Sequence, residues 1–70
     1  MNLTKAEIRK EYVIRDIAID DEELEDFLFT LGCYSGETIA VIANLKNSYT
    51  VAIKDGRYNI DKGLAKQIII

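Results

Sequence analysis

Few residues of this 70-residue chain could carry chemistry. There is one cysteine, Cys33, there is no histidine, and an acidic run extends from Asp20 to Asp26. Zinc and copper sites are built chiefly from Cys and His side chains, so a single chain offers no plausible site of that kind. A nucleophilic thiol needs a base or a cation beside it. We therefore predict that Cys33 is a small buried apolar side chain and that the chain has no catalytic or cofactor-binding residue.

The acidic run could attract a hard cation such as calcium, but it lacks the alternating ligands and central glycine of an EF-hand loop. Carboxylates are favourable at the start of a helix, because the helix dipole places partial positive charge there. We interpret the run as a solvated helix start. Asp20 is the predicted N-cap, with Glu23 completing a capping box, and Asp21 is nearly as good a cap.

An amphipathic helix is predicted to follow this cap. Four apolar residues stand at the spacing i, i+3, i+4 and i+7, which places them on one helix face: Leu24, Phe27, Leu28 and Leu31. Gly32 comes next and is predicted to end the helix in the left-handed conformation. Phe29 projects away from the apolar face. Either it packs locally or it belongs to a contact surface, where aromatic residues are enriched, and the same choice applies to Tyr34.

The rest of the chain is predicted to form short strands joined by tight turns. The five predicted strands cover residues 11–19, 37–44, 49–54, 57–60 and 67–70. Asp55-Gly56 predicts a type I′ hairpin turn, which needs positive φ at both central residues. Short helical turns are predicted at Thr4, with Glu7 completing a capping box, and after Asp61.

This order predicts one small, mainly β (α+β) domain over residues 1–70. The expected fold is a five-stranded antiparallel β-barrel, partly open or closed, with the amphipathic helix between strands 1 and 2. A domain of this size hides only about 60% of its unfolded surface, which leaves little for a deep pocket. The net charge of -3 argues against nucleic-acid binding, which draws on clustered Lys and Arg. A single cysteine and no long apolar run favour a cytosolic protein without a signal peptide or a membrane span.

These residues together resemble the FeoA family. Its hallmark is a leucine-rich helix ending in Leu-Gly, then a few residues, a glycine and an alternating apolar strand. The matching positions here are Leu24, Leu28, Leu31-Gly32, Cys33, Tyr34, Ser35-Gly36, Ile39 and Val41. The resemblance covers essentially the whole chain. The sequence departs from the family pattern at Glu11, where a glycine is common, and at Cys33 and Ser35, where a larger aliphatic residue and a proline are usual. The loop over residues 45–48 is also short and lacks the frequent Gly-Pro.

The resemblance implies an SH3-like β-barrel acting as a small cytoplasmic accessory protein of ferrous iron transport. Its implied partner is the cytoplasmic domain of FeoB, the membrane ferrous iron transporter with a G-protein domain, which would recruit it to the inner face of the membrane. The family is associated with transition-metal ion handling, yet this chain has almost no Fe(II) ligands of its own. We therefore predict a non-enzymatic module that binds a protein handling iron and not the iron.

The predicted partner-binding residues lie at the corner between the helix and the following strand. They are Phe29, Tyr34 and Glu37, chosen because an aromatic pair lies off the apolar face beside an acidic helix.

A metal-sensing or regulatory role is the main alternative. Such a domain is similar to the one that ends the iron-dependent repressors. It would bind a hard divalent cation through Asp20, Asp21 and Glu22, or two chains would pair to build a site.

Two further alternatives concern other surfaces. Tyr12, Tyr49 and Tyr58 could line a groove for proline-rich peptides. The terminal run of residues 68–70 either closes the barrel or pairs between chains in a homo-oligomer, since a bare apolar edge recruits another strand.

Overall fold

A computed structural model describes residues 1–70 as six strands, two α-helices and one 3₁₀ helix. In chain order these are the 3₁₀ helix (Leu3–Lys5), β1 (Glu11–Val13), β2 (Asp16–Ile17), α1 (Glu22–Leu31), β3 (Thr38–Leu45), β4 (Ser48–Ile53), β5 (Gly56–Asp61), α2 (Lys62–Ala65) and β6 (Ile68–Ile69). Neither α-helix has the length and apolar character needed to cross a membrane.

The strands form two antiparallel sheets. One has the order β1-β3-β4-β5, and the other pairs β2 with β6. The prediction of a small, mainly β domain with antiparallel pairing is confirmed. The prediction of five strands in a barrel is wrong in its strand count, and the barrel is not closed.

The extra strand arises because the predicted first strand, residues 11–19, divides between the two sheets. The Ile14 N–H donates to the Glu37 carbonyl at 2.8 Å, beside the β1–β3 pairing, whereas the Arg15 N–H donates to the Ile69 carbonyl at 2.7 Å. The chain therefore changes partner between two successive residues, and α1 lies between β2 and β3. Ile69 and Ile68 pair with Asp16 and Ile17 of the same chain.

The hairpin turn between β4 and β5 lies one residue earlier than predicted. Ile53 pairs with Gly56, so the two turn residues are Lys54 and Asp55. Of these two residues, only Lys54 has a positive φ, at 52°. Gly56, which was predicted to be the second turn residue, does not have a positive φ. Gly56 meets a different need, because a Cβ atom there would lie 2.3 Å from the Tyr58 hydroxyl oxygen.

Helix caps decide where the helices begin. Asp21, not Asp20, is the N-cap of α1, and its carboxylate accepts hydrogen bonds from the Glu23 and Leu24 N–H groups at 3.0 and 3.2 Å. Asp61 caps α2 as predicted, accepting from the Leu64 N–H at 2.7 Å.

The N-terminal turn also begins earlier than predicted. Asn2, not Thr4, caps the 3₁₀ helix, with its side chain accepting from the Thr4 N–H at 2.9 Å. This turn buries Leu3, while Ile8 stays exposed.

One hydrophobic core joins the two sheets, and α1 touches it through a narrow face. The buried core residues are Leu3, Ile14, Leu28, Cys33, Ile39, Val41, Tyr49, Val51, Ile53, Ile60, Ala65, Ile68 and Ile70. Leu28 is 1% exposed, Leu24 and Leu31 are half-buried, and Phe27 is 53% exposed. Since successive helix residues are about 100° apart, Phe27 lies that far from Leu28 and outside the contact. The prediction that Phe27 shares the buried face is wrong.

Candidate partner-binding surface

The predicted site residues are positioned by the corner that ends α1. Gly32 is the C-cap, with φ 90° in the left-handed region, as the sequence predicted. Its N–H donates to the Phe29 carbonyl at 3.0 Å, and the Cys33 N–H donates to the Leu28 carbonyl at 2.8 Å. These bonds satisfy carbonyl groups that the helix end would otherwise leave unpaired.

Two hydrogen bonds join the corner to the segment between β1 and β2. The Gly36 N–H donates to the Ile14 carbonyl at 2.8 Å, and the Ser35 hydroxyl donates to the Arg15 carbonyl at 3.0 Å. Because both bonds join residues about twenty positions apart in sequence, the corner has a fixed position relative to the core.

Phe29 and Tyr34 form a stacked aromatic pair across this corner, in which Phe29 is exposed and Tyr34 is half-buried. Their ring centroids are 4.7 Å apart with an interplanar angle of 29°, a stacked arrangement. Phe29 is 64% exposed and is not packed into the core. The stack keeps a large apolar area ordered at the surface, where aromatic residues are favourable for binding another protein.

Lys54 links Tyr34 to Glu37. Its Nζ donates to the Tyr34 hydroxyl oxygen at 3.3 Å and lies 3.7 Å from Glu37 Oε1 and 5.5 Å from the centroid of the Tyr34 ring. The hydrogen bond to Tyr34, together with the negative charge of Glu37, raises the pKa of Lys54. We call the four residues Phe29, Tyr34, Glu37 and Lys54 the corner surface.

Sequence reasoning found three members of the corner surface and missed Lys54. The missing information was the hairpin register, which places Lys54 at the tip of the β4–β5 turn. The turn folds over the end of α1, so that a Cβ atom on Gly32 would lie 3.2 Å from two carbons of the Lys54 side chain. No local signal in the sequence joins residues 32 and 54.

The structure does not form the metal site or the peptide groove that the alternative functions would need. Asp21 uses its carboxylate as a helix cap, and no group of three or more His, Cys, Asp or Glu side chains is arranged to hold a metal ion. The structure has no ligand-sized pocket. Tyr49 is buried in the core, so the three tyrosines proposed for a peptide groove do not form one.

Cys33 lies beneath the corner as a buried thiol, as predicted. Burial raises the pKa of Cys33 to about 11 from its ordinary value of 9.0. The unfolded chain therefore releases this proton at lower pH than the folded chain, and folding becomes less favourable between about pH 9 and pH 11.

We expect this thiol to make the free energy of unfolding fall by about 1.4 kcal/mol per pH unit within that window. Urea denaturation at pH 8 and pH 10 measures the effect, and Cys33→Ala is the control that lacks it. An equal decrease in both proteins would show that Cys33 is not the cause.

A family model and a solved structure each match this chain over all or nearly all of its length. The family model described as the FeoA domain matches residues 1–70. Among solved structures, a Stenotrophomonas maltophilia FeoA in complex with zinc matches with a TM-score of 0.85 and 18% sequence identity, covering 99% of this chain and 87% of that one. That protein is described as a prokaryotic SH3 domain protein and a candidate activating factor of ferrous iron transport.

No match was found among curated protein sequences. The structural match supports the SH3-like fold, and the match to the family model extends from the first residue to the last. The chain therefore belongs to the FeoA family, a family of small SH3-like proteins associated with ferrous iron transport and not known as enzymes.

Proposed function

We propose that this chain is a cytoplasmic accessory protein of ferrous iron transport that binds the cytoplasmic domain of FeoB through the corner surface. Membership of the FeoA family supports a role in ferrous iron transport, and the similar protein described as a candidate activating factor supports a regulatory role. The observation that supports this site is the exposed ring of Phe29, which stacks on the half-buried ring of Tyr34.

The corner surface has the composition expected at the centre of a protein interface. Hot spots are typically aromatic residues that become fully desolvated, surrounded by polar groups that exclude water. Phe29 and Tyr34 would supply the apolar centre. The Lys54–Glu37 ion pair lies beside Tyr34 and would supply part of the polar rim. Because the stack exists in the free protein, little ordering of these rings is needed on binding.

A pull-down of the purified protein with the cytoplasmic domain of FeoB tests this proposal. It is made with GTP, with GDP and without nucleotide, because the partner has a G-protein domain. Capture in any one state supports the accessory role and identifies the state that it serves. Absence of capture in all three states would overturn the proposal.

Lys54→Gly should separate stability from binding. Lys54 has a φ of 52°, a region that side-chain-bearing residues adopt at a cost and glycine adopts freely. We expect the variant to melt at the same or a higher temperature but to bind the FeoB domain more weakly, since the ammonium beside Tyr34 and Glu37 is lost. Thermal denaturation and a binding titration measure the two effects. A lower melting temperature with unchanged affinity would make Lys54 a structural residue only.

A separate experiment tests whether this chain binds a metal ion directly or acts on a protein that handles iron. Calorimetric titration with Mn(II) and Fe(II) under anaerobic conditions should give no binding heat if the chain acts on a protein that handles iron. Saturable binding that is lost in Asp20→Asn/Glu22→Gln would favour the metal-sensing role, and Asp21 is left intact because it caps α1.

A further inference from the structure

The edge of the four-stranded sheet is open along β5. β5 pairs with β4 on one side and with no strand on the other. The two-residue turn makes Ile53 and Gly56 the hydrogen-bonded pair that closes the hairpin, so Tyr58 and Ile60 also bond to β4. The N–H and C=O groups of Arg57 and Asn59 therefore point to the open edge. No turn, loop or cap hydrogen bond uses them.

The side chains along this edge alternate between the core and the solvent. Tyr58 is half-buried and Ile60 is buried, whereas Arg57, Asn59 and Asp61 are exposed. The exposed side chains thus carry a positive group at one end of the strand, a neutral amide in the middle and a negative group at the other end.

We infer that β5 is a self-association surface that pairs antiparallel with β5 of a second copy of this chain. A two-fold axis at Asn59 places the Asn59 residues of the two copies opposite each other, with their outward N–H and C=O groups in position to exchange two hydrogen bonds. Arg57 then faces Asp61 of the second copy, and Asp61 faces Arg57 of the second copy. Both pairs carry opposite charges, which stabilise directly opposed residues of antiparallel strands.

Neighbouring registers lack this complementarity. An axis at Tyr58 would place Asp61 opposite Asp55 of the second copy, so that like charges would face each other. An axis at Ile60 would place Asn59 opposite Asp61 of the second copy and leave Arg57 without a strand partner. The charge pattern therefore selects the register centred on Asn59. A sheet edge that carried one sign of charge would instead repel a second copy.

Charge reversal of Arg57 tests the pairing by sedimentation equilibrium. Arg57→Asp would replace both Arg–Asp pairs by Asp–Asp pairs, and we expect self-association to weaken about tenfold or more. Lys10→Asp makes the same change in net charge outside β5 and should leave self-association unchanged. A wild-type protein that stays monomeric up to millimolar concentration would overturn the inference. So would a dimer that Arg57→Asp does not weaken.

Disulfide trapping tests the register independently. Opposed hydrogen-bonded residues have Cα atoms about 5.5 Å apart, within the range of a disulfide. Asn59→Cys should therefore cross-link under mild oxidation, while the native Cys33 is buried and does not interfere. Glu11→Cys, on the opposite edge strand β1, is the matched control. Cross-linking at Glu11→Cys and not at Asn59→Cys would place the interface elsewhere and contradict the inference.

Discussion

Replacing Leu28 by alanine is expected to lower the free energy of unfolding by about 3 kcal/mol, the usual cost of truncating a fully buried leucine. Leu28 is 1% exposed and is the one residue of α1 that is fully buried in the core. A small domain has a total stability of about 5 kcal/mol or somewhat more. The variant should therefore be partly unfolded at physiological temperature, with a greatly reduced urea midpoint.

Phe27→Ala is the matched control for Leu28→Ala. Both changes remove a large apolar side chain from the same helix, and the sequence places both on one face. Because Phe27 is largely exposed, its truncation should cost less than about 1 kcal/mol. Equal destabilisation by the two substitutions would contradict the narrow contact between α1 and the core.

Truncating the aromatic pair should have the largest effect on function. We expect Phe29→Ala/Tyr34→Ala to weaken binding to the FeoB cytoplasmic domain by about 30-fold or more, the effect of removing interface hot spots. Transporter-dependent iron uptake should fall accordingly in cells that rely on this chain. The urea midpoint should change little, because Phe29 is exposed and neither ring belongs to the buried core.

Phe27→Ala again supplies the control, since Phe27 is an exposed aromatic residue that does not stack on Tyr34. It should leave both affinity and iron uptake unchanged. If the double substitution preserves the fold and iron uptake is also unchanged, the corner surface is not the binding site.

The local features of this chain could be predicted from its sequence. Gly32 ends α1 because a left-handed C-cap favours glycine, and Asp61 caps α2 because its carboxylate reaches the Leu64 N–H. Tyr49, Val51 and Ile53 alternate in the sequence with Thr50, Ala52 and Lys54, a pattern typical of a strand with one buried face, and all three are buried. Each of these signals depends on residues only a few positions apart.

The features that were predicted wrongly depend on contacts between distant residues. The strand predicted over residues 11–19 divides because Ile14 hydrogen-bonds to Glu37 whereas Arg15 hydrogen-bonds to Ile69. Strand propensity predicts that the segment is extended but not which strand each residue pairs with. The exposure of Phe27 depends on the angle at which α1 meets the core, and helical spacing does not determine that angle.

The candidate site shows the same division. Phe29, Tyr34 and Glu37 could be chosen from the sequence because an aromatic pair lies off the apolar helix face beside an acidic helix. Lys54 lies beside these residues only because the β4–β5 turn folds over Gly32, and this contact depends on the tertiary structure. The Asp55-Gly56 motif predicted the turn one residue too late. Gly56 lies instead in β5, where a Cβ atom would meet the ring of Tyr58.

Contact between the corner surface and the FeoB cytoplasmic domain is tested most directly by titrating that domain into the ¹⁵N-labelled protein and recording the amide spectrum. We predict that the signals of Phe29, Tyr34, Glu37 and Lys54 shift or broaden. Those of Lys46 and Asn47, about 20 Å away at the other end of β4, should not change. A complex that perturbs other residues and leaves the corner surface unchanged would contradict the claim.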